Sequence, residues 1–344
     1  MRHGRLDVDE VADPVPQPGQ VLVRTLACGI CGSDLHTLRH GEQMVEQMRE
    51  AAAHGISDLP FEPAVMDLDR DVVMGHEFSA EVVELGPNVG NCAVGDTVVS
   101  VPVVFDAHGL YPLGFANQYP GGYGELMALS DLLCLKVPNG LDARRAALTE
   151  PMAVGVHAVN RSGIAAGDAA VVLGCGPVGL AVIAALRLAG VEIIVGADFS
   201  PRRRELAATM GATEVVDPRQ EPAVEAWRRV DGTRPLVIFE AVGIPGMLDA
   251  AMRDAPRQGR IMVVGVCMEP DTVRPMRGIT RELTIGFALA YDPTEFAETL
   301  RHIAEGELDV APLITGSVDI ADVAGAFDAL ADPEAHAKIL IEPS

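Results

Sequence analysis

The stretch AAVVLGCGPVGLAVIAAL, which runs from residue 169 to residue 186, decides the fold class of this chain. Its first five apolar residues predict a buried strand, a glycine-rich turn follows, and the apolar run over 178–188 predicts a long helix. The stretch has the length of a membrane span, but the glycines and Pro177 favour strand, turn and helix over a span. It therefore predicts the first half of a βαβ unit.

The turn carries the Gly-x-Gly-x-x-Gly pattern of a dinucleotide-binding loop. Gly174 permits the tight turn, Gly176 lets a pyrophosphate approach the backbone, and Gly179 allows the helix to pack closely on the strand. The free N–H groups at the start of the helix attract phosphate. Asp198 ends the next predicted strand, where its carboxylate can bind ribose hydroxyls and repel a 2′-phosphate, so NAD is favoured over NADP. The arginines at 202–204 weaken this preference.

Beyond residue 150, predicted strands and helices alternate along the chain. This alternation implies a doubly wound parallel sheet. The predicted strands are 169–173, 192–197, 236–240 and 260–266, and the predicted helices are 178–188, 203–210 and 247–257.

The start and the end of the chain have a different character. Closely spaced short strands, set off by Gly and Pro, indicate a largely antiparallel domain before residue 150. An extra helix is predicted over 42–54, where apolar residues follow one side and Gly55 ends the pattern. The other predicted elements are the strands 21–27, 81–87, 96–101 and 337–341 and the helices 293–303 and 321–330.

Composition limits the classes of protein to consider. A length of 344 residues suggests about two domains, and a hydrophobic fraction of 49% with a mean hydropathy of +0.22 excludes intrinsic disorder. The net charge of -23 argues against nucleic-acid binding and against an anionic membrane surface. Six scattered cysteines without a secretory signal predict reduced thiols and a cytoplasmic protein.

Three short segments concentrate residues that can bind a metal. They are CGICGSDLH at 28–36, GHE at 75–77 and TEP at 149–151. Thiolate, imidazole and carboxylate together suit zinc, and three protein ligands with an open position form a catalytic site. Two alternatives stay open: Cys28 and Cys31 could form a redox pair or half of a structural zinc site, and Glu150 could simply favour a helix start.

The order and spacing of these motifs resemble those of the zinc-dependent medium-chain dehydrogenases, the zinc alcohol dehydrogenase family. The resemblance extends nearly from end to end, and the segment EPMAVG at 150–155 is similar to the sorbitol and butanediol dehydrogenase branch. It implies that Cys31, His76 and Glu150 bind zinc, with Glu150 acting directly or through water. It also implies that Glu77 is an alternative ligand and that Asp34 accepts a hydrogen bond from His76.

The same resemblance implies the remaining catalytic and cofactor contacts. Ser33 would lie on the substrate oxygen, His36 would pass its proton to solvent, and Lys338 would lie near the cofactor pyrophosphate. The residues predicted to contact NAD are Gly174, Gly176, Pro177, Val178, Gly179, Asp198, Arg203, Val242, Val264 and Lys338.

The resemblance implies an α/β fold with two domains. A doubly wound parallel Rossmann domain that binds NAD would span 156–288, and a largely β, GroES-like catalytic domain would combine 1–155 and 289–344. The chain would transfer a hydride between NAD and a secondary alcohol, diol or polyol, in a cleft between the domains. A homodimer or homotetramer would be the assembly, with a small alcohol or ketone as substrate.

Two rival functions remain open, and the cysteine content departs from that of many family members. A threonine-type dehydrogenase or an aldehyde dismutase could use the same scaffold, and a non-catalytic nucleotide-binding protein is a rival from another class. The region after Val101 lacks the four-cysteine lobe that holds a structural zinc in many members. The sequence therefore predicts one zinc, the catalytic one, per chain.

Overall fold

The computed structural model describes residues 1–53 and 65–343 of the chain. Its strands are β1 (Gln20–Gly29), β2 (Glu77–Leu85), β3 (Thr97–Ser100), β4 (Val103–Phe105), β5 (Leu110–Pro112), β6 (Leu126–Ser130), β7 (Cys134–Lys136), β8 (Ala169–Leu173), β9 (Ile193–Ala197), β10 (Glu214–Val216), β11 (Leu236–Glu240), β12 (Arg260–Val263), β13 (Thr284–Phe287), β14 (Ile314–Val318) and β15 (Lys338–Ile341). Its α-helices are α1 (Gly32–Ala53), α2 (Ala143–Ala146), α3 (Thr149–Ser162), α4 (Pro177–Leu188), α5 (Pro201–Met210), α6 (Ala223–Val230), α7 (Met247–Asp254), α8 (Pro275–Arg281), α9 (Pro293–Ala304) and α10 (Val323–Ala329).

Contacts divide the described chain into two compact units. Unit 1 comprises residues 1–150, 314–331 and 338–344, and unit 2 comprises 151–313 and 332–337. The sequence-based division assigned 151–155 and 289–313 to the catalytic domain, whereas contacts group them with the parallel sheet. One reason is that Glu295, in the first turn of α9, accepts a hydrogen bond from Asn160 of α3.

Unit 1 contains a mixed sheet built around the long strand β1. Its described strands follow the order β14-β15-β1-β2-β3-β7, and β6 also pairs with β1. Apart from the parallel pair β14 and β15, all of these pairs are antiparallel. Most side chains of β1 are buried, and other strands pair with both of its edges. The predicted antiparallel strands are thereby confirmed.

Unit 2 contains a parallel sheet with the strand order β10-β9-β8-β11-β12-β13. This is the order of a doubly wound dinucleotide-binding fold, with β8 as its first strand. Strands β8 and β11 lie at its centre and match the predicted bounds, because buried parallel strands read as short apolar runs. The sequence-based assignment missed β10, β13 and the helices α6 and α8. The predicted α/β fold class is confirmed.

Helix α1 follows directly from β1 and is interrupted at His40, whose backbone is not helical. The part beyond this kink confirms the predicted helix over 42–53, and Val45 packs its side chain into the core. Residue 54, where that helix was predicted to end, lies outside the described residues. Among the described helices, none combines the length and the apolar character that a membrane crossing needs.

Candidate functional site

Three potential metal ligands meet where β1 and β2 pair in unit 1. The antiparallel register places Gly29 opposite Glu77, so the turn that carries Cys31 lies beside His76 and Glu77. The Cys31 sulfur, a ring nitrogen of His76 and a carboxylate oxygen of Glu77 lie within 4.8 Å of one another. His76 and Glu77 are buried, and Cys31 is partly exposed. A thiolate, an imidazole and a carboxylate at this spacing fit zinc.

The His76 ring lies between a carboxylate and a hydroxyl. Its Nδ1 is 3.4 Å from the Asp34 carboxylate, and its Nε2 is 3.3 Å from the Ser33 hydroxyl oxygen. Burial lowers the pKa of His76, but Asp34 outweighs it and raises that pKa well above its ordinary value. Conversely, burial would raise the pKa of Asp34, but the His76 charge and the hydrogen bonds to the carboxylate together lower it. A carboxylate behind Nδ1 fixes a ring whose Nε2 binds metal, so the arrangement fits a zinc-binding histidine.

A buried ion pair adjoins the metal cluster. The Lys338 Nζ lies 2.6 and 2.7 Å from the two Glu77 carboxylate oxygens and donates a hydrogen bond to the Ile30 carbonyl at 3.0 Å. Both side chains are at most 2% exposed. Burial would lower the pKa of Lys338, but Glu77 raises it overall. Sequence reasoning did not find this pair, and the role of Lys338 at the pyrophosphate stays a prediction.

Glu150 and His36 flank the cluster without joining it in the structure. Glu150 lies in the first turn of α3, and its charge helps raise the pKa of Lys338, after the larger effects of Glu77 and Cys31. The half-buried His36 follows Ser33 by one helical turn on α1. Burial, and then the charges of its neighbours, lower the pKa of His36. The close cluster contains Glu77 rather than Glu150, so the ligand role of Glu150 stays a prediction.

The glycine-rich loop of unit 2 joins β8 to α4. Gly174 adopts a φ of +89°, a region that few residues other than glycine enter. At Gly179 a side chain would meet the Gly174 carbonyl oxygen at 1.9 Å, so only glycine fits. Gly176 caps the helix, and Pro177 is its first residue, which leaves the first N–H groups of α4 available to a phosphate.

Asp198 lies beside this loop at the end of β9. Its carboxylate accepts hydrogen bonds from the backbone N–H groups of Cys175 and Ser200, both at 2.8 Å. The Arg203 guanidinium is 3.9 Å from the same carboxylate. Val242 and Val264 follow the ends of β11 and β12, and Val242 packs close to Gly174. The structure thus brings the predicted dinucleotide residues of unit 2 to the carboxyl ends of adjacent parallel strands.

Comparison with known proteins identifies the family. Residues 17–139 match the alcohol dehydrogenase GroES-like domain, and residues 177–305 match the zinc-binding dehydrogenase domain. The (R,R)-butanediol dehydrogenase of Bacillus subtilis is 33% identical, over 99% of this chain and 98% of that protein. A sorbitol dehydrogenase of Bacillus subtilis is 27% identical, over 96% of this chain and 93% of that protein.

The solved structures agree with the sequence relatives. The crystal structure of 2R,3R-butanediol dehydrogenase from Bacillus subtilis superposes with a TM-score of 0.84 and 30% identity, covering 100% of this chain and 98% of that one. The family models and the relatives identify an oxidoreductase that acts on CH–OH donors with zinc and a nicotinamide dinucleotide. The chain belongs to the zinc-dependent medium-chain dehydrogenases, close to their butanediol and sorbitol dehydrogenase branch.

Replacing Asp198 with serine is expected to relax the preference for NAD. The substitution removes a negative charge that repels a 2′-phosphate and leaves Arg203 beside the loop. We expect the ratio of kcat/KM for NAD to kcat/KM for NADP to fall on the order of tenfold, which corresponds to about 1.4 kcal/mol. Asp168→Asn, just before β8, is the control and should leave the ratio unchanged. A wild-type enzyme that already prefers NADP would contradict the charge argument.

Proposed function

We propose that this chain oxidises a secondary alcohol, diol or polyol with NAD, at a zinc ion held by Cys31, His76 and a carboxylate. The observation that carries the proposal is the cluster of Cys31, His76 and Glu77, with Asp34 behind the histidine ring. Unit 1 would hold the metal and the substrate oxygen, and unit 2 would bind the dinucleotide through its glycine-rich loop. The domain roles and the site residues are part of this proposal.

The residues around the cluster can handle the proton of the alcohol. Zinc, when bound, supplies a Lewis acid that lowers the pKa of an alcohol hydroxyl. The Ser33 hydroxyl, 3.3 Å from the His76 ring, is the group that we assign to accept the substrate proton. His36 is one helical turn further along α1 and half-buried, so it can pass that proton to solvent. Its lowered pKa favours the neutral imidazole that such a relay needs.

The carboxylate ligand involves a choice between Glu150 and Glu77. Lys338 binds both oxygens of Glu77, and an ammonium so close competes with a metal for the same carboxylate. We therefore propose Glu150 as the third ligand, directly or through water, and Glu77 as an alternative ligand.

The substrate class follows from the relatives. The two relatives reported above are named as dehydrogenases of butanediol and of sorbitol, so a vicinal diol or a polyol is the proposed substrate. A threonine-type dehydrogenase or an aldehyde dismutase is the alternative on the same scaffold.

A cytoplasmic location of the protein stays a prediction from the sequence.

A panel of alcohols tests the proposed function directly. The purified protein would be analysed for metal and assayed for NADH formation with 2,3-butanediol stereoisomers, sorbitol, xylitol, threonine and an aldehyde. We expect about one zinc per chain and the highest kcat/KM with a diol or polyol. Threonine as the best substrate, or disproportionation of the aldehyde, would favour the alternatives. The proposal would be contradicted if none of the alcohols tested gave NADH, or if the chain held two tightly bound zinc ions.

We also propose that two copies of the chain associate along β13. This strand ends the path of the described parallel sheet, so its outer edge offers unpaired backbone groups to a second copy. The neighbourhood exposes large apolar side chains, which favour association. These are Met276, Ile279, Phe287 and Leu289, between 60% and 82% exposed.

A charged residue on this surface should separate the copies. We expect Leu289→Glu to lower the mass measured by sedimentation velocity, because it places a charge in an apolar contact. The matched control is Leu132→Glu in unit 1, where Leu132 is 78% exposed. Its mass should equal that of the wild type. An unchanged mass for Leu289→Glu would rule out this surface.

A further inference from the structure

We propose that Tyr123 is a positioning residue for the zinc ligand His76 and acts on it through Asp34. The inference rests on the proposed zinc site. Tyr123 lies in the loop before β6 and contributes no atom to the ligand cluster described above. Its hydroxyl instead reaches the carboxylate that stands behind the histidine ring.

The Asp34 carboxylate has a distinct neighbour for each oxygen. One oxygen accepts two hydrogen bonds, from the Tyr123 hydroxyl at 2.7 Å and from the Cys31 backbone N–H at 2.9 Å. The other oxygen lies 3.4 Å from His76 Nδ1, and neither of these two atoms forms a hydrogen bond with any other group in the described residues. The two donors therefore hold the carboxylate with its second oxygen directed at the histidine ring.

Tyr123 is itself fixed against the segment that carries His76. Its backbone N–H donates to the Met74 carbonyl at 2.9 Å, and its ring meets Phe327 edge-on at 6.1 Å. A side chain on Gly75 would lie only 2.6 Å from the Tyr123 ring, so the ring packs directly on the residue before His76. The hydroxyl thus reaches Asp34 from a ring whose position is set by the ligand segment.

Burial makes this hydroxyl hard to replace. Asp34 is fully buried and Tyr123 is 8% exposed. If the hydroxyl is removed, the carboxylate oxygen keeps a single donor among the described residues, the Cys31 N–H, in a site closed to bulk water. A buried charge that loses a donor becomes freer to rotate, and the histidine ring loses its fixed partner. We therefore expect a weaker hold on zinc rather than a changed substrate contact.

Tyr119 provides a matched control in the same unit. Its hydroxyl donates to an Asp106 carboxylate oxygen at 2.9 Å, so it repeats the tyrosine–aspartate hydrogen bond away from the ligand cluster. Tyr119 is 9% exposed, close to the burial of Tyr123. Tyr119→Phe and Tyr123→Phe each remove one hydroxyl that donates to an aspartate from a buried tyrosine.

The test measures zinc release and the ligand geometry in the loaded enzyme. A chromophoric chelator would follow the rate of zinc loss, and the cobalt(II)-substituted protein would report ligand geometry through its visible absorption bands. Loss of an outer partner of a metal-binding histidine costs about 10–100-fold in metal affinity. We expect Tyr123→Phe to release zinc about tenfold faster and to shift the cobalt bands, while Tyr119→Phe matches the wild type. Melting temperatures would be measured for both.

A double-variant cycle separates positioning from a loss of packing. If Tyr123 acts through Asp34, Tyr123→Phe should add little to the release rate in an Asp34→Asn background. Fully additive effects, or faster release that also occurs in Tyr119→Phe, would overturn the inference. So would an unchanged release rate in Tyr123→Phe.

The variant His76→Ala distinguishes this inference from the proposed site. We expect it to lose zinc altogether. If it retains one zinc per chain, the proposed site is wrong and the inference fails with it. If His76→Ala loses zinc but Tyr123→Phe behaves as the wild type, the site stands and the role of Tyr123 alone is rejected.

Discussion

Cys31→Ser and His76→Ala should each abolish turnover while NAD binding survives. Both residues belong to the metal cluster of unit 1. Loss of a thiolate or imidazole ligand removes the Lewis acid, which is worth several kcal/mol of transition-state stabilisation. Since 1.36 kcal/mol is a factor of ten, kcat should fall on the order of a thousandfold or more. The glycine-rich loop and Asp198 belong to unit 2, so NADH binding should change little.

Steady-state kinetics, metal analysis and a fluorescence titration with NADH check this result. The matched controls are Cys267→Ser, a partly exposed thiol of unit 2, and His108→Ala, an exposed imidazole of unit 1. Both should keep zinc and turnover. Alcohol oxidation by a zinc-free Cys31→Ser enzyme would refute the zinc mechanism.

Lys338→Met should destabilise the protein severely. The substitution leaves the Glu77 carboxylate, which is fully buried, without the ammonium that lies 2.6 Å away. Removing one partner of a buried ion pair costs about 3–5 kcal/mol, because the remaining charge is neither solvated nor paired. We expect a loss of this size in the free energy of unfolding measured with a chemical denaturant.

Two further variants separate the charge effect from the loss of a lysine. Lys136→Met removes an ammonium from an exposed pair with Asp96, and its effect should be small. The double variant Glu77→Leu/Lys338→Met replaces the pair with apolar groups and should recover most of the stability. The explanation fails if Lys338→Met and Lys136→Met lose the same stability.

The dinucleotide loop could be predicted from sequence because its information is local. The strand β8, the glycine turn and α4 follow one another within residues 169–188, and each depends on neighbours a few positions away. At position 179 only glycine fits, since a side chain there would collide with the Gly174 carbonyl. The sequence motifs around Cys31 and His76 could also be recognised, because each lies in one short segment.

The sequence was less informative where an element is short or lacks a clear pattern. Strand β10 has three residues, and β13 is an edge strand with two exposed positions out of four. Such segments carry too little periodicity to separate them from loops. The extra helix was predicted over 42–54, of which the structure describes 42–53, because its apolar side chains recur at helical spacing.

Tertiary structure alone decided which distant side chains contact Asp34 and Glu77. The Tyr123 hydroxyl and Asp34 are 89 positions apart, and Lys338 and Glu77 are 261 positions apart. The contact between Lys338 and Glu77 follows from β-sheet pairing, in which Gly29 of β1 lies opposite Glu77 on one side and Leu340 of β15 on the other. By itself the sequence determined which chemical groups the chain has and the local turns that present them. The pairing of Lys338 with Glu77 required the strand register, because shifting a strand by one residue turns its side chains to the other face of the sheet.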